Sequence, residues 1–248
     1  MNKDQLGNRC KKYESAFNTH LPERMPIILR LDGNRFSKYT KECKRPVDDN
    51  LVSLMNDTAI HLCEKIQGAK LAFIQSDEIS ILLINYENIN SQCWFDNNVN
   101  KMCSIASGMA SAYFTVNSDR IFNKHKLAAF DCRAFVVPKE DVCNVLLWRQ
   151  QDIIRNSVQM LSRTLYSHKQ LDGKNISELK EMCLQKGFNW NDCPNSQKFG
   201  RCIVKTKNIK EGINHKTGEK FSVERSEWIV DNNIPIFSNN RNYIEKYL

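Results

Sequence analysis

Apolar and polar residues change period several times along this chain, and those changes predict an α+β fold. Residues 1 to 20 are polar, a helix-prone lead-in. "MPIILRLDG" then alternates with a period of two. Ile27, Leu29 and Leu31 fall on one face and Ile28, Arg30 and Asp32 on the other, a strand that Gly33 ends. Beyond the basic loop "NRFSKYTKECKRP", helical spacing takes over through Leu51, Leu54, Met55, Leu62 and Ile66. Pro46 with Asp48 or Asp49 opens that helix and Gly68 stops it. "KLAFIQ" and "ISILLIN" predict a hairpin with "SDE" at its tip.

A second helix is predicted over residues 97–114. Lys101, Ser104, Gly108 and Ser111 give it a narrow side of small groups plus one cation, for which close packing against a sheet is a simpler reading than a ligand. "FDCRAFVVP" is another alternating strand, closed by Pro138 as an edge or end strand would be. The longest helical pattern covers about residues 142–167. Leu146, Ile153, Ile154, Val158, Leu161 and Leu165 form its apolar stripe, opposite Arg149, Asp152, Asn156, Gln159 and Arg163. Trp148, large and aromatic, is expected in the core. A turn and a short helix follow in "LDGKNISELKEMCLQKG". "GRCIVKTKNI" and "KFSVERSEWIV" then predict a long hairpin turning at "NHKTGE".

Composition narrows the function. A hydrophobic fraction of 41% is enough for a full core, which argues against global disorder. Net charge is +8, and residues 198–225 carry eight Lys or Arg against three acids, so a polyanionic partner is compatible. The ten cysteines are scattered without a CxxC pair, which favours free thiols in a reducing compartment. The spacing of Cys183, Cys193 and Cys202 fits no zinc knuckle. The N-terminal sequence is not that of a secretory signal, and no apolar run approaches the roughly 20 residues that cross a bilayer. A soluble cytoplasmic protein without a membrane partner is expected.

The candidate chemistry lies in carboxylates. With the first strand beside the hairpin, Asp32, Asp77 and Glu78 converge on one sheet edge. Asp-Gly and Asp-Glu are also ordinary turn formers, so turn-making alone accounts for each of them separately. Convergence favours metal, because like charges so placed repel unless a cation lies between them. Two divalent ions about 3.5–4 Å apart would neutralise them and orient a phosphate. Magnesium suits hard oxygen donors, and Gly33 lets a backbone carbonyl approach closely.

Five segments in order, "RLDGNRFSKYT", "KRPVDD", "QSDEIS", "FDCRAFVVP" and "WRQQDIIRNSVQML", resemble the tRNA-histidine guanylyltransferase superfamily of 3′-to-5′ polymerases. The resemblance covers roughly residues 25–175 and implies a polymerase- or cyclase-like palm, a mainly antiparallel sheet flanked by helices, with two Mg²⁺ ions. Residues 1–140 would form the palm-like catalytic region. Residues 141–248, a helical segment and the basic hairpin, would pack on the same domain. The resemblance makes Asp32 and Asp77 the metal carboxylates, Gly33 the carbonyl ligand and Glu78 a supporting acid. It implies nucleotide contacts at Asn34, Arg35, Phe36, Lys44, Arg45, Ser76, Lys101 and Ser104. RNA contacts fall at Arg133, Arg149, Asp152, Arg155 and Asn156.

Departures from the family pattern sharpen this reading. True guanylyltransferases continue "WRQ-x-D" with His-Ile-Asn-Asn, whereas "IIRNS" stands here, with Ile154 in the histidine's place. Asn34 and Arg35 are swapped relative to the usual order, and Ser37 replaces a frequent histidine. "RTLYSHKQLDGKNISEL" and "GFNWNDCP" resemble the guanylyltransferase-like branch. For that branch the implied activity is template-dependent repair of 5′-truncated tRNA, with ATP for 5′ activation and GTP or another nucleoside triphosphate added. A homotetramer is implied by analogy. Addition of one guanosine to tRNA-His, a purine nucleotide cyclase and a non-catalytic tRNA-binding protein stand as alternatives. A "GGDEF"-type hairpin, which would mark the cyclase relatives, is absent.

Overall fold

The computed structural model describes residues 3–213 and 220–248. Six strands form one antiparallel sheet in the order β4-β1-β3-β2-β5-β6. They are β1 (Ile27–Gly33), β2 (Ala69–Gln75), β3 (Glu78–Leu83), β4 (Phe130–Val136), β5 (Arg201–Ile213) and β6 (Lys220–Asp231). The expected α+β architecture, an antiparallel sheet flanked by helices, is what the chain adopts.

The period-two alternation of β1 splits the core into two layers. Ile27, Leu29 and Leu31 pack with Ile74, Ile79 and Ile81 under the helices Asp49–Lys65 and Val99–Val116. Ile28, with Phe73, Leu82 and Cys202, packs under the long helix Val142–Leu165 and against Ile234, Phe237 and Ile244. A third cluster, Val158, Leu161, Leu179, Cys183 and Trp190, ties the far half of the long helix to the helix Ile176–Gln185. The Asp49–Lys65 helix starts where Asp48 accepts hydrogen bonds from the Asn50 and Leu51 N–H groups, an N-cap that resolves the choice between Asp48 and Asp49.

Two expectations change. Trp148 is not in the core. It is 50% exposed, with the Arg149 and Arg30 guanidinium carbons 4.5 and 5.5 Å from its ring centre. The apolar stripe of its helix is already filled by Leu146 and Ile153, so the indole falls outside it and cations cover it instead. The narrow face of the Val99–Val116 helix does not pack throughout. Ser111 accepts from the Phe130 N–H at 2.9 Å, but Lys101 and Ser104 are exposed and a Cβ added at Gly108 would meet nothing within 4 Å.

The β5–β6 hairpin exists as read. Its first residues, Arg201–Val204, pair with β2, and the remainder runs on as a two-stranded ribbon. The "NHKTGE" turn lies outside the described residues. The positive charge of the ribbon is partly answered within it, since Lys207 pairs with Glu224 at 2.7 Å.

Candidate active site

The site is assembled where β1 ends and the β2–β3 hairpin turns. In register, Asp32 faces Glu78 across β3 and Asp131 across β4. The hairpin loop is only Ser76 and Asp77, and Ser76 takes φ 48°, the left-handed conformation that tight two-residue hairpin loops need. The Gly33 N–H donates to the Asp77 carbonyl at 3.2 Å, which fixes the loop against the end of β1. A Cβ at Gly33 would run into the Phe36 ring. That ring cannot yield, since it is buried against Tyr39, Phe114 and Phe130.

The electrostatics separate two sequence neighbours. Burial raises the Asp77 carboxyl above its ordinary range, and the charges of Asp32 and Glu78 push the same way. Asp32 is also raised, by burial first and then by Asp131, against the pull of Arg133, Arg30 and Arg149. Glu78 is placed differently. The long helix delivers Arg149 to it through two parallel hydrogen bonds, Nε to Oε1 at 2.8 Å and Nη2 to Oε2 at 2.7 Å. Arg149 also reaches Asp152 at 3.1 Å, and Asp152 holds Arg155 at 2.9 Å. Arg149 therefore stands as the partner of Glu78, largely buried, and not as a free surface cation. Both oxygens of Glu78 are engaged in turn.

Among the described residues no cluster of three or more His, Cys, Asp or Glu side chains is arranged to hold a metal ion. With Glu78 committed to Arg149, the oxygens that remain at the strand ends are the Asp32, Asp77 and Asp131 carboxylates and backbone carbonyls such as that of Gly33.

A cavity of about 940 Å³ opens beside Asp77. Lys44, Arg45, Ser76 and Phe36 line one side, and Asn156 and Arg163 of the long helix line another. Lys198 and Arg201 line it as well. Sequence reasoning passed over that last pair, which reads as the start of a basic hairpin. Asp131, across from Asp32, was missed as well. Asn34 and Arg35 are exposed at the turn after β1, where the Asn34 N–H donates to the Ala129 carbonyl at 2.8 Å. Arg133 acts on Asp32 from the edge strand. Lys101, Ser104, Arg133 and Arg155 do not line the cavity.

An antiparallel sheet covered by helices on both faces, with acids crowded at its end beside a cation-lined cleft, has the form of a phosphate-handling palm. Comparison with known proteins makes the class specific. The family model described as Thg1, tRNAHis guanylyltransferase, matches residues 7–138, and the chain belongs to that family of nucleotidyltransferases acting on tRNA. A bacterial tRNA(His) guanylyltransferase (Thg1)-like protein solved in complex with ATP is 40% identical with a TM-score of 0.87, covering 98% of each chain. A bacterial Thg1-like structure in complex with GTP is 38% identical with a TM-score of 0.82, again covering 98% of both. A probable tRNA(His) guanylyltransferase of Dictyostelium discoideum is 28% identical over 89% of this chain and 91% of its own length.

Proposed function

We propose that this chain adds nucleotides in the 3′-to-5′ direction to the 5′ end of tRNA, and that its task is repair of truncated ends against the opposite strand. The observation that carries this reading is the meeting of Asp32 and Asp77 at the sheet end, with Asp77 on the wall of a cavity that also holds Lys44 and Arg45. The similar bacterial structures hold ATP and GTP, which supports both nucleotides as ligands here.

The donor set fits Mg²⁺. Asp32, Asp77 and the Gly33 carbonyl offer hard oxygens, and the proton affinity of both acids is raised first by burial and further by neighbouring acids. Bound there, two such ions would neutralise charge on a reacting phosphate and ease deprotonation of an attacking hydroxyl. The chain's own side chains supply the rest. Lys44 and Arg45 hold triphosphate oxygens in the cavity. Arg149, clamping Glu78, pins the hairpin so that Asp77 keeps its place.

The chemistry balances in two steps. A 5′-monophosphate attacks the α-phosphate of ATP and releases pyrophosphate, leaving an adenylylated end. The 3′-hydroxyl of an incoming nucleoside triphosphate then attacks that 5′-phosphate, loses its proton and expels AMP. With a 5′-triphosphate end the first step is unnecessary and pyrophosphate leaves. Base pairing with the opposite strand selects the nucleotide, so the protein needs only to grip backbone, with Arg133, Arg155, Asn156 and the exposed cations of the β5–β6 ribbon as the contacts.

A second reading, addition of a single guanosine to tRNA-His, draws support from the names of the relatives. The histidine that true guanylyltransferases carry is Ile154 here, which favours repair. The protein, Mg²⁺, ATP and all four nucleoside triphosphates are incubated with a tRNA lacking its first nucleotide and with intact tRNA-His. Extension that stops when the acceptor stem is fully paired is the expected result. Guanosine addition confined to tRNA-His would replace repair by the second reading, and no incorporation on either RNA would overturn both.

A further inference from the structure

Two cations that line the same cavity as Asp77 lack acidic partners. Arg201 is 5% exposed and Lys198 9% exposed, yet no carboxylate among the described residues forms an ion pair with either. Arg201 Nε donates to Asn56 Oδ1 at 2.7 Å, and its terminal nitrogens make no hydrogen bond to a described residue. Lys198 Nζ donates to the Asn191 carbonyl at 2.6 Å and stands over the Trp190 and Phe199 rings at 5.6 and 5.4 Å. A cation taken out of water costs free energy unless an anion answers it. Burial accordingly pulls the Arg201 guanidinium down to about 10.

The register says where such an anion would lie. Arg201 faces Ile74 across β2, two residues before Ser76 of the carboxylate turn. Gly200, at φ 85°, lets this strand begin tight against β2: a Cβ there would come within 2.8 Å of the Ile74 carbonyl oxygen. Asn56 approaches from the Asp49–Lys65 helix, and Lys198 from the short helix Asn195–Phe199. Lys198 and Arg201 both line the cavity, and Asn56 holds the guanidinium at Nε.

We propose that Lys198 and Arg201, with Asn56 orienting the guanidinium, form a phosphate subsite distinct from the Lys44–Arg45 contact. This deepens the proposed function, on which its placement beside the reacting end rests. The phosphate belongs either to a nucleoside triphosphate or to the 5′ end of the RNA.

The test measures binding apart from turnover, on the full chain. Inorganic tripolyphosphate, ATP, adenosine, and tRNA with a 5′-monophosphate or a 5′-hydroxyl are titrated against the unmutated protein, Arg201→Gln, Arg201→Lys and Lys198→Met. A loss of at least tenfold for tripolyphosphate and ATP in Arg201→Gln and Lys198→Met, with adenosine unchanged and Arg201→Lys partly restored, assigns the subsite to a nucleotide. The same loss confined to 5′-phosphorylated tRNA assigns it to the RNA end. Unchanged binding of every phosphate by a folded variant overturns the subsite. Should Arg201→Gln not fold, Lys198→Met decides by the same criteria. If the unmutated protein extends no tRNA but loses tripolyphosphate on substitution, the polymerase reading falls while the subsite stands.

Discussion

Asp77 and Glu78 are adjacent in sequence and opposite in circumstance. Glu78 is answered within the fold, gripped at both oxygens by Arg149. Asp77 is half-buried near Asp32 with its proton affinity raised. Lys198 and Arg201, which line the same cavity, are buried without an acidic partner, and burial lowers the proton affinity of Arg201. The difference separates charges that serve the architecture, which find a partner in the chain, from charges that wait for a ligand.

Removing a waiting charge should end activity while sparing the fold. Asp77→Ala is expected to cut nucleotide addition by about 10²–10³-fold or more, the scale of losing one preorganised group that meets developing charge. Gel assay of 5′ extension reads that loss, and tRNA binding by filter retention is expected to persist. Extension within a few-fold of the unmutated rate would remove Asp77 from the chemistry.

Removing a partnered charge should do the reverse. Arg149→Ala leaves Glu78 buried and alone, a change that costs about 3–5 kcal/mol when one member of a buried pair is lost. Denaturant unfolding measures it. Adding Glu78→Gln to the Arg149 variant is expected to recover a large part of the loss, since the orphaned charge is then gone. Additive effects of the two substitutions would mean that the pair contributes nothing as a pair.

The turn beside these acids is the next point of attack. Gly33→Ala pushes a methyl group into the Phe36 ring, which Tyr39, Phe114 and Phe130 hold in place. Overpacking of this kind costs about 1–3 kcal/mol. The double variant Gly33→Ala, Phe36→Leu should unfold at higher denaturant than Gly33→Ala alone. If Gly33→Ala is neutral by itself, the crowding is not what reserves that position for glycine.

Much of this arrangement was legible in the chain. The alternation through Ile27–Asp32 identified which residues of β1 share a face, and the two apolar runs around "SDE" placed Asp77 and Glu78 at a tip. The meeting of Asp32 with that tip followed from the neighbouring of sequential strands, and it is found. Local period could not choose partners. Arg149 lies 71 residues from Glu78 and belonged to a polar stripe that solvent would have explained equally well. Arg201 read as one cation in a basic hairpin, because its burial depends on β5 meeting β2 at Ile74, a long-range pairing. Trp148 went wrong for a related reason: size argued for the core, whereas its place on the helix put it beside two arginines.

The smallest effect tests the comparison most directly, because it asks what the waiting charge costs. Burial and neighbouring acids raise the folded-state proton affinity of Asp77, so folding disfavours the ionised form. Below the ordinary carboxylate range the group is protonated whether the chain is folded or not, and no penalty exists. As pH rises from the unfolded value through the raised folded one, the penalty develops, and above the folded value it is fully present. Asp77→Asn keeps the shape and removes the charge. In chelator, at neutral pH, the variant is expected to melt a few degrees above the unmutated protein, and the gap is expected to shrink on acidification through that window. Mg²⁺ should raise the melting temperature of the unmutated protein and leave the variant nearly unmoved. A variant less stable than its parent at neutral pH in chelator would mean that Asp77, like Glu78, is answered from within.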